Sequence, residues 1–160
     1  MTSEQHGFSP IKDEASFQQA LQYIAENAAQ LANTVLHKEL PIDTLTIFTQ
    51  TDDEYNFIEG LIRQYGQESG FTHGTTLYIE TDLTVANQPI KLLGVRRPDP
   101  ERPQVGYGDY PTAEFAALRE AHAEDERVQP IQSGNGIELL ELRHPDFDVL
   151  GYVVEEEDHA

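Results

Sequence analysis

The stretch that decides the fold is TTLYIETDLTVANQPIKLLGVRR, residues 75–97. Its outer parts, 75–83 and 89–97, are rich in β-branched and apolar residues, and Ala86-Asn87-Gln88 between them has turn composition. Two such runs around a short turn predict a hairpin. Residues 127–132, 137–143 and 147–154 repeat the pattern as three more strands, with Gly134-Asn135-Gly136 and His144-Pro145-Asp146 as the turns between them. A sixth strand is expected at 44–49, where Thr, Leu and Ile alternate. The expected architecture is α+β: a mainly antiparallel sheet of about five to six strands, with a long N-terminal helix and two shorter helices packed on one face.

The long helix is expected over 13–38. Phe17, Leu21, Ile24, Ala28, Leu31 and Val35 are spaced four and three apart and so share one face. Asp13 or Ser16 can cap its start, Ser16 with Gln19 fits a capping box, and Pro41 is the stop signal. The same spacing suits a coiled-coil seam, but Ala20, Ala25, Ala32 and Leu36 widen the stripe to what a globular core uses. A second helix follows Thr51, with Glu54 completing a capping box, Asp52 and Asp53 in the first turn, and Gly66 as the stop. A third is expected over 112–123. Residues 98–110 (PDPERPQVGYGDY) hold three Pro and two Gly and read as a long loop. Both halves contain a helix followed by a hairpin, but no sequence repeat accompanies this, and no duplication is read from it.

The domain reading is a flexible arm over 1–12, one α+β domain over 13–154, and an acidic tail over 155–160. A chain of 160 residues buries about 70% of its unfolded surface, which is sufficient for a core without staples. Cys is absent, so disulfides, thiol catalysis and Cys-ligated zinc are excluded. No apolar run approaches the roughly 20 residues of a membrane span, and MTSEQHGFSPIKDE lacks the features of a signal peptide. A cytoplasmic location is the expectation. There are 29 acidic residues against 10 Lys plus Arg, a formal net charge of -19. Such a surface repels nucleic acid and anionic membranes, because phosphate contacts need Lys or Arg. It fits a solubilising exterior, adaptation to high salt, or a basic partner.

Against that background, residues 91–106 stand out. Lys91, Arg96, Arg97 and Arg102 face only Asp99 and Glu101, and the segment leads into Tyr107, Asp109 and Tyr110. Guanidinium groups grip carboxylate or phosphate with two prongs, and Pro residues hold such a loop at low entropic cost. The alternative is that these Arg pair with nearby acids and pin the loop. His73 and His144, the latter beside Asp146, complete the candidate ligand-binding set of His73, Arg96, Arg97, Arg102, Tyr107, Asp109 and His144; His6, His37, His122 and His159 look peripheral. The triplet His73-Gly74-Thr75 is similar to half of the H-x-T/S signature of two-histidine phosphoesterases. That chemistry needs a second such triplet, and His144-Pro145-Asp146 lacks the hydroxyl residue. The sequence assigns no catalytic residue, no metal ligand and no cofactor.

Three functions remain open: a binding or interaction domain with an anion or small-ligand site at 91–110, a small hydrolase acting on a phosphorylated or carboxylated substrate, and an acidic mimic of nucleic acid that binds a nucleic-acid-handling protein. The partner is a small anionic ligand or a basic protein, and the chain is a monomer or a homodimer.

Overall fold

Helix α1 (Glu14–Leu36) begins where the sequence offers a cap: the Asp13 carboxylate accepts the Ser16 amide at 2.7 Å. It ends at His37, whose φ of 56° is left-handed, so it stops ahead of Pro41 rather than at it. The structure, a computed structural model, describes residues 10–69, 74–80, 82–132 and 136–156. The expected stripe of α1 is the buried one: Phe17, Leu21, Ile24, Ala28, Leu31 and Val35 are at most 2% exposed. The face therefore docks on the chain's own sheet.

Beyond α1 the order is β1 (Thr44–Phe48), α2 (Asp52–Ile62), β2 (Gly66–Ser69), β3 (Gly74–Ile79), β4 (Thr84–Val85), β5 (Gln88–Pro89), β6 (Leu92–Arg96), β7 (Gly106–Thr112), α3 (Phe115–Ala121), β8 (Val128–Gln132), β9 (Glu138–Leu142) and β10 (Val149–Glu155). Eight of the strands form one sheet in the order β2-β3-β6-β1-β7-β10-β9-β8. The α+β class is as expected, but eight strands replace the expected five to six. Two parallel pairs, β1 with β6 and β7 with β10, break the antiparallel pattern near the centre. The 75–97 hairpin forms through antiparallel β3 and β6, while its tip folds separately as β4 and β5. Ala86 and Asn87 make that tip a two-residue turn with φ of 50° and 66°.

The largest correction concerns 98–110. Residues Gly106–Thr112 are not loop but β7, between β1 and β10 in the middle of the sheet. Its glycines, which read locally as loop formers, are required by what crosses above. A Cβ on Gly106 would lie 2.1 Å from the Thr46 carbonyl oxygen of β1 and 2.7 Å from the Ile24 methyl of α1, and one on Gly108 would lie 3.2 Å from the Ala28 methyl. Pro111 is tolerated because it lies beyond the last β1 partner, where Asp109 pairs with Thr44 and accepts the Asp43 amide.

A second correction is a repeat that the sequence does not announce. The path β1-α2-β2-β3-β6 is matched by β7-α3-β8-β9-β10. In each half the first strand lies parallel to the last, and the strands between pair antiparallel. The halves meet antiparallel through β1 and β7, an approximate two-fold relation. Helix α1 belongs to neither half and lies over the seam, against β10, β7 and β1.

The capping box expected at α2 is only half made. Thr51 Oγ1 accepts the Glu54 amide at 3.1 Å, but the Glu54 carboxylate accepts the amides of Gln50 and Ile11, each at 2.7 Å. It thereby ties the segment ahead of α1 to α2, and Ile11 is buried. Helix α2 ends at Ile62, before Gly66, which opens β2 instead. Thr112 closes β7 rather than starting α3, and its hydroxyl accepts the Glu114 amide at 3.0 Å. Among the described residues all three helices bury apolar residues in the same core, which leaves the opposite face of the sheet without a helix there. No helix among the described residues is long and apolar enough to cross a membrane.

Leu31 is fully buried in this core. Its replacement by Ala is expected to cost about 2–5 kcal/mol, measured as the loss in urea-unfolding free energy; a loss below about 0.5 kcal/mol would mean that the face is exposed in solution.

Candidate functional site

Register decides what lies on the helix-free face. Across it, Glu141 of β9 pairs with Tyr152 of β10, Tyr152 with Asp109 of β7, and Asp109 with Thr44 of β1. One row along, Leu150 pairs with Tyr107, and Tyr107 with Thr46. Phe48, Leu150 and Tyr152 form a second, smaller core there, with Tyr107, Ile131 and Leu139 packed against it. The Tyr107 ring meets Tyr152 edge-on at 4.8 Å and Phe48 at 5.6 Å.

The segment 97–105 runs from the end of β6 to the start of β7 and passes over this face. Arg102 pins it: one guanidinium nitrogen lies 3.3 Å from the Glu141 carboxylate and 3.4 Å from the Tyr152 hydroxyl. Tyr152 donates to Glu141 at 2.8 Å, and Arg143 donates to the other Glu141 oxygen at 2.7 Å. Burial works to raise the Glu141 carboxyl, but donors from Arg143, Tyr152 and Arg102 outweigh it and hold it below the usual carboxylate range. Burial raises the Tyr152 and Tyr107 hydroxyls, so both stay protonated.

Of the residues singled out in the sequence, Arg96, Arg102, Tyr107 and Asp109 come together on this face. The Arg96 guanidinium lies 5.7 Å from the Phe48 ring centre and 4.0 Å from Asp99. Arg97 points elsewhere and stacks 5.3 Å over Tyr55 of α2. His144 sits apart, in the turn between β9 and β10. Its Nδ1 accepts the Asp146 amide at 3.0 Å, and its ring meets Phe147 edge-on at 5.6 Å. His73 lies outside the described residues. Among those residues no group of three or more His, Asp or Glu is arranged to hold a metal ion. The sequence reading missed Glu141, Arg143 and Tyr152. Alternation along β9 and β10 puts each on one side of its strand, but only the register of distant strands joins them.

Asp109 is the chemically unusual member. One carboxylate oxygen is buried without a hydrogen-bond partner. Burial, with the like charge of Asp43 nearby, pushes its carboxyl up to about 8.

Two consequences are measurable. Arg102→Gln removes one of three donors to Glu141 and is expected to cost about 1–3 kcal/mol in chemical unfolding; no loss would mean that the loop is not pinned through this residue. For Asp109 the folded chain holds a proton that the unfolded chain releases. Stability therefore falls as pH rises from about 4 to about 8 and is level above that. Asp109→Asn is expected to lack this component, so that its advantage over wild type grows across the same window. Parallel pH dependences of the two proteins would refute the buried carboxyl.

No protein-family model matches this chain, and no curated protein matches it in sequence. Its fold is similar to that of a solved structural-genomics protein, protein EC4020, with a TM-score of 0.62 over 94% of this chain and 93% of that one, at 10% identity. A hypothetical protein, BH1468 from Bacillus halodurans C-125, aligns over 77% of this chain and 99% of its own at 15% identity, with a TM-score of 0.42. At these identities the likeness to protein EC4020 is one of fold alone.

Proposed function

We propose that the chain is a binding domain whose ligand site is the cleft between the 97–105 segment and the end of the sheet formed by β8, β9 and β10. The observation that carries this reading is convergence. Gln104 of the segment, Arg127 beside β8, Arg143 and His144 beyond β9, and Leu150 of β10 line one cleft of about 360 Å³. That volume is within the range of small-ligand pockets. Its surroundings are held by the Arg102–Glu141–Tyr152 network, so the walls are formed before a ligand arrives, and little ordering is left to oppose binding. Arg102 acts here as a structural clamp, with its charge spent on Glu141, and the anion or small-ligand site expected at 91–110 shifts toward Arg143 and His144.

Amide chemical shifts of the isotope-labelled protein, recorded against a panel of small charged and uncharged compounds, test the reading. Ligands are expected to move the amides of 102–105 and 143–150 and to leave those of α1 in place. A panel that moves none of the cleft amides overturns the binding-domain reading.

A further inference from the structure

Two guanidinium groups border the cleft, and they differ in how far their donors are used. Arg127 and Arg143 face each other directly across the β8–β9 ladder, where the Arg143 amide donates to the Arg127 carbonyl at 2.9 Å. Like charges in that relation destabilise a sheet. Asp125 engages Arg127 through both carboxylate oxygens, at 3.0 and 2.9 Å. Arg143 reaches Glu141 through Nε alone and shares that carboxylate with Arg102. Its side chain is 50% exposed, and its terminal nitrogens keep their donors for something else.

One other group points to the same use. His144 Nδ1 accepts a backbone amide, so the neutral ring carries its proton on Nε2, as a donor. Gln104 lines the cleft too, but its Oε1 is itself shut off from solvent. Phe147 and Leu150 add apolar walls. Among the described residues Glu126 is the one acid lining the cleft; it is exposed, so water screens its repulsion of an anion.

We infer that the cleft takes a small organic oxyanion, a phosphate monoester or carboxylate whose organic part packs against Phe147 and Leu150. The anionic group meets the terminal nitrogens of Arg143, and His144 adds a donor. A guanidinium fork matches two oxygens of such a group in one plane. The inference rests on the binding-domain reading above and names the ligand class of that site.

Titration calorimetry and amide shifts with glycerol 3-phosphate, inorganic phosphate and glycerol separate the cases. The expected order of affinity is glycerol 3-phosphate, then phosphate, then glycerol, with shifts at 143–147. Arg143→Gln keeps Arg102 and Tyr152 on Glu141, so the fold survives, and it is expected to weaken glycerol 3-phosphate at least tenfold. Arg143→Lys keeps the charge without the fork and should weaken it less. Arg119→Gln, which removes a surface pair with Glu138 and a contact with the Phe115 ring but does not line the cleft, should leave the affinity unchanged. If Arg143→Gln alters affinity by less than twofold, or if glycerol binds as well as its phosphate, the anion assignment is overturned while the binding-domain reading stands. Phosphate shifts spread over the surface overturn it as well. If no charged or uncharged probe moves a cleft amide, both readings fall together.

Discussion

The structure depends on how closely α1 approaches the middle of the sheet. Tyr110, fully buried on β7, donates its hydroxyl to the Ala28 carbonyl of the helix. The ring has room because position 151 on the neighbouring β10 is glycine, and any side chain there would strike it. Gly106 leaves space for the Thr46 carbonyl of β1 as well as for Ile24, and the helix answers with small residues of its own, Ala20, Ala25, Ala28 and Ala32, all buried. Interiors packed this tightly have no slack for an added methyl group. Helix and seam thus position each other, and the seam positions the strands that bear the polar network.

This constraint also explains where the sequence misleads. Helix α1 is legible because its period and its Asp13 cap are local signals. The strands around 75–97 and 127–154 are legible from β-branched composition and turn residues. Strand β7 is not, because GYGDYPT has the composition of a loop. Its glycines serve a helix some 80 residues earlier, as the Tyr110–Ala28 bond spans 82 positions, and no local rule registers that. Strand β2, GQES, is short and polar at the sheet edge and offers no alternation to detect. The repeat is invisible for a related reason: topology is shared by the halves while the side chains are not.

The site divides along the same line. Arg96, Arg102, Tyr107 and Asp109 are neighbours in sequence and were found as a group. Their partners Glu141, Arg143 and Tyr152 lie on strands whose register is set by the second half of the fold. A guanidinium beside many acids cannot be assigned an inner or outer partner by counting charges. In a chain with a net charge of -19, Arg102 meets a carboxylate only 6% exposed rather than any of the many at the surface. Asp109 is the opposite case, an acid carried into the sheet with a bare oxygen and another acid nearby.

The order of the elements has a consequence for biosynthesis. Helix α1 is made before every strand of the sheet, yet the two strands it touches most, β7 and β10, lie in the second half of the sequence. When the first half emerges from the ribosome, β1 is an open edge and the helix lacks much of its partner surface. Contacts this distant in sequence form slowly, because the chain must close long loops before they are rewarded. During that interval the nascent chain exposes an apolar stripe and an unpaired strand together, the combination that recruits chaperones and promotes aggregation. Its acidic residues, spread over both halves of the sequence, supply repulsion between neighbouring chains while the second half is still being made.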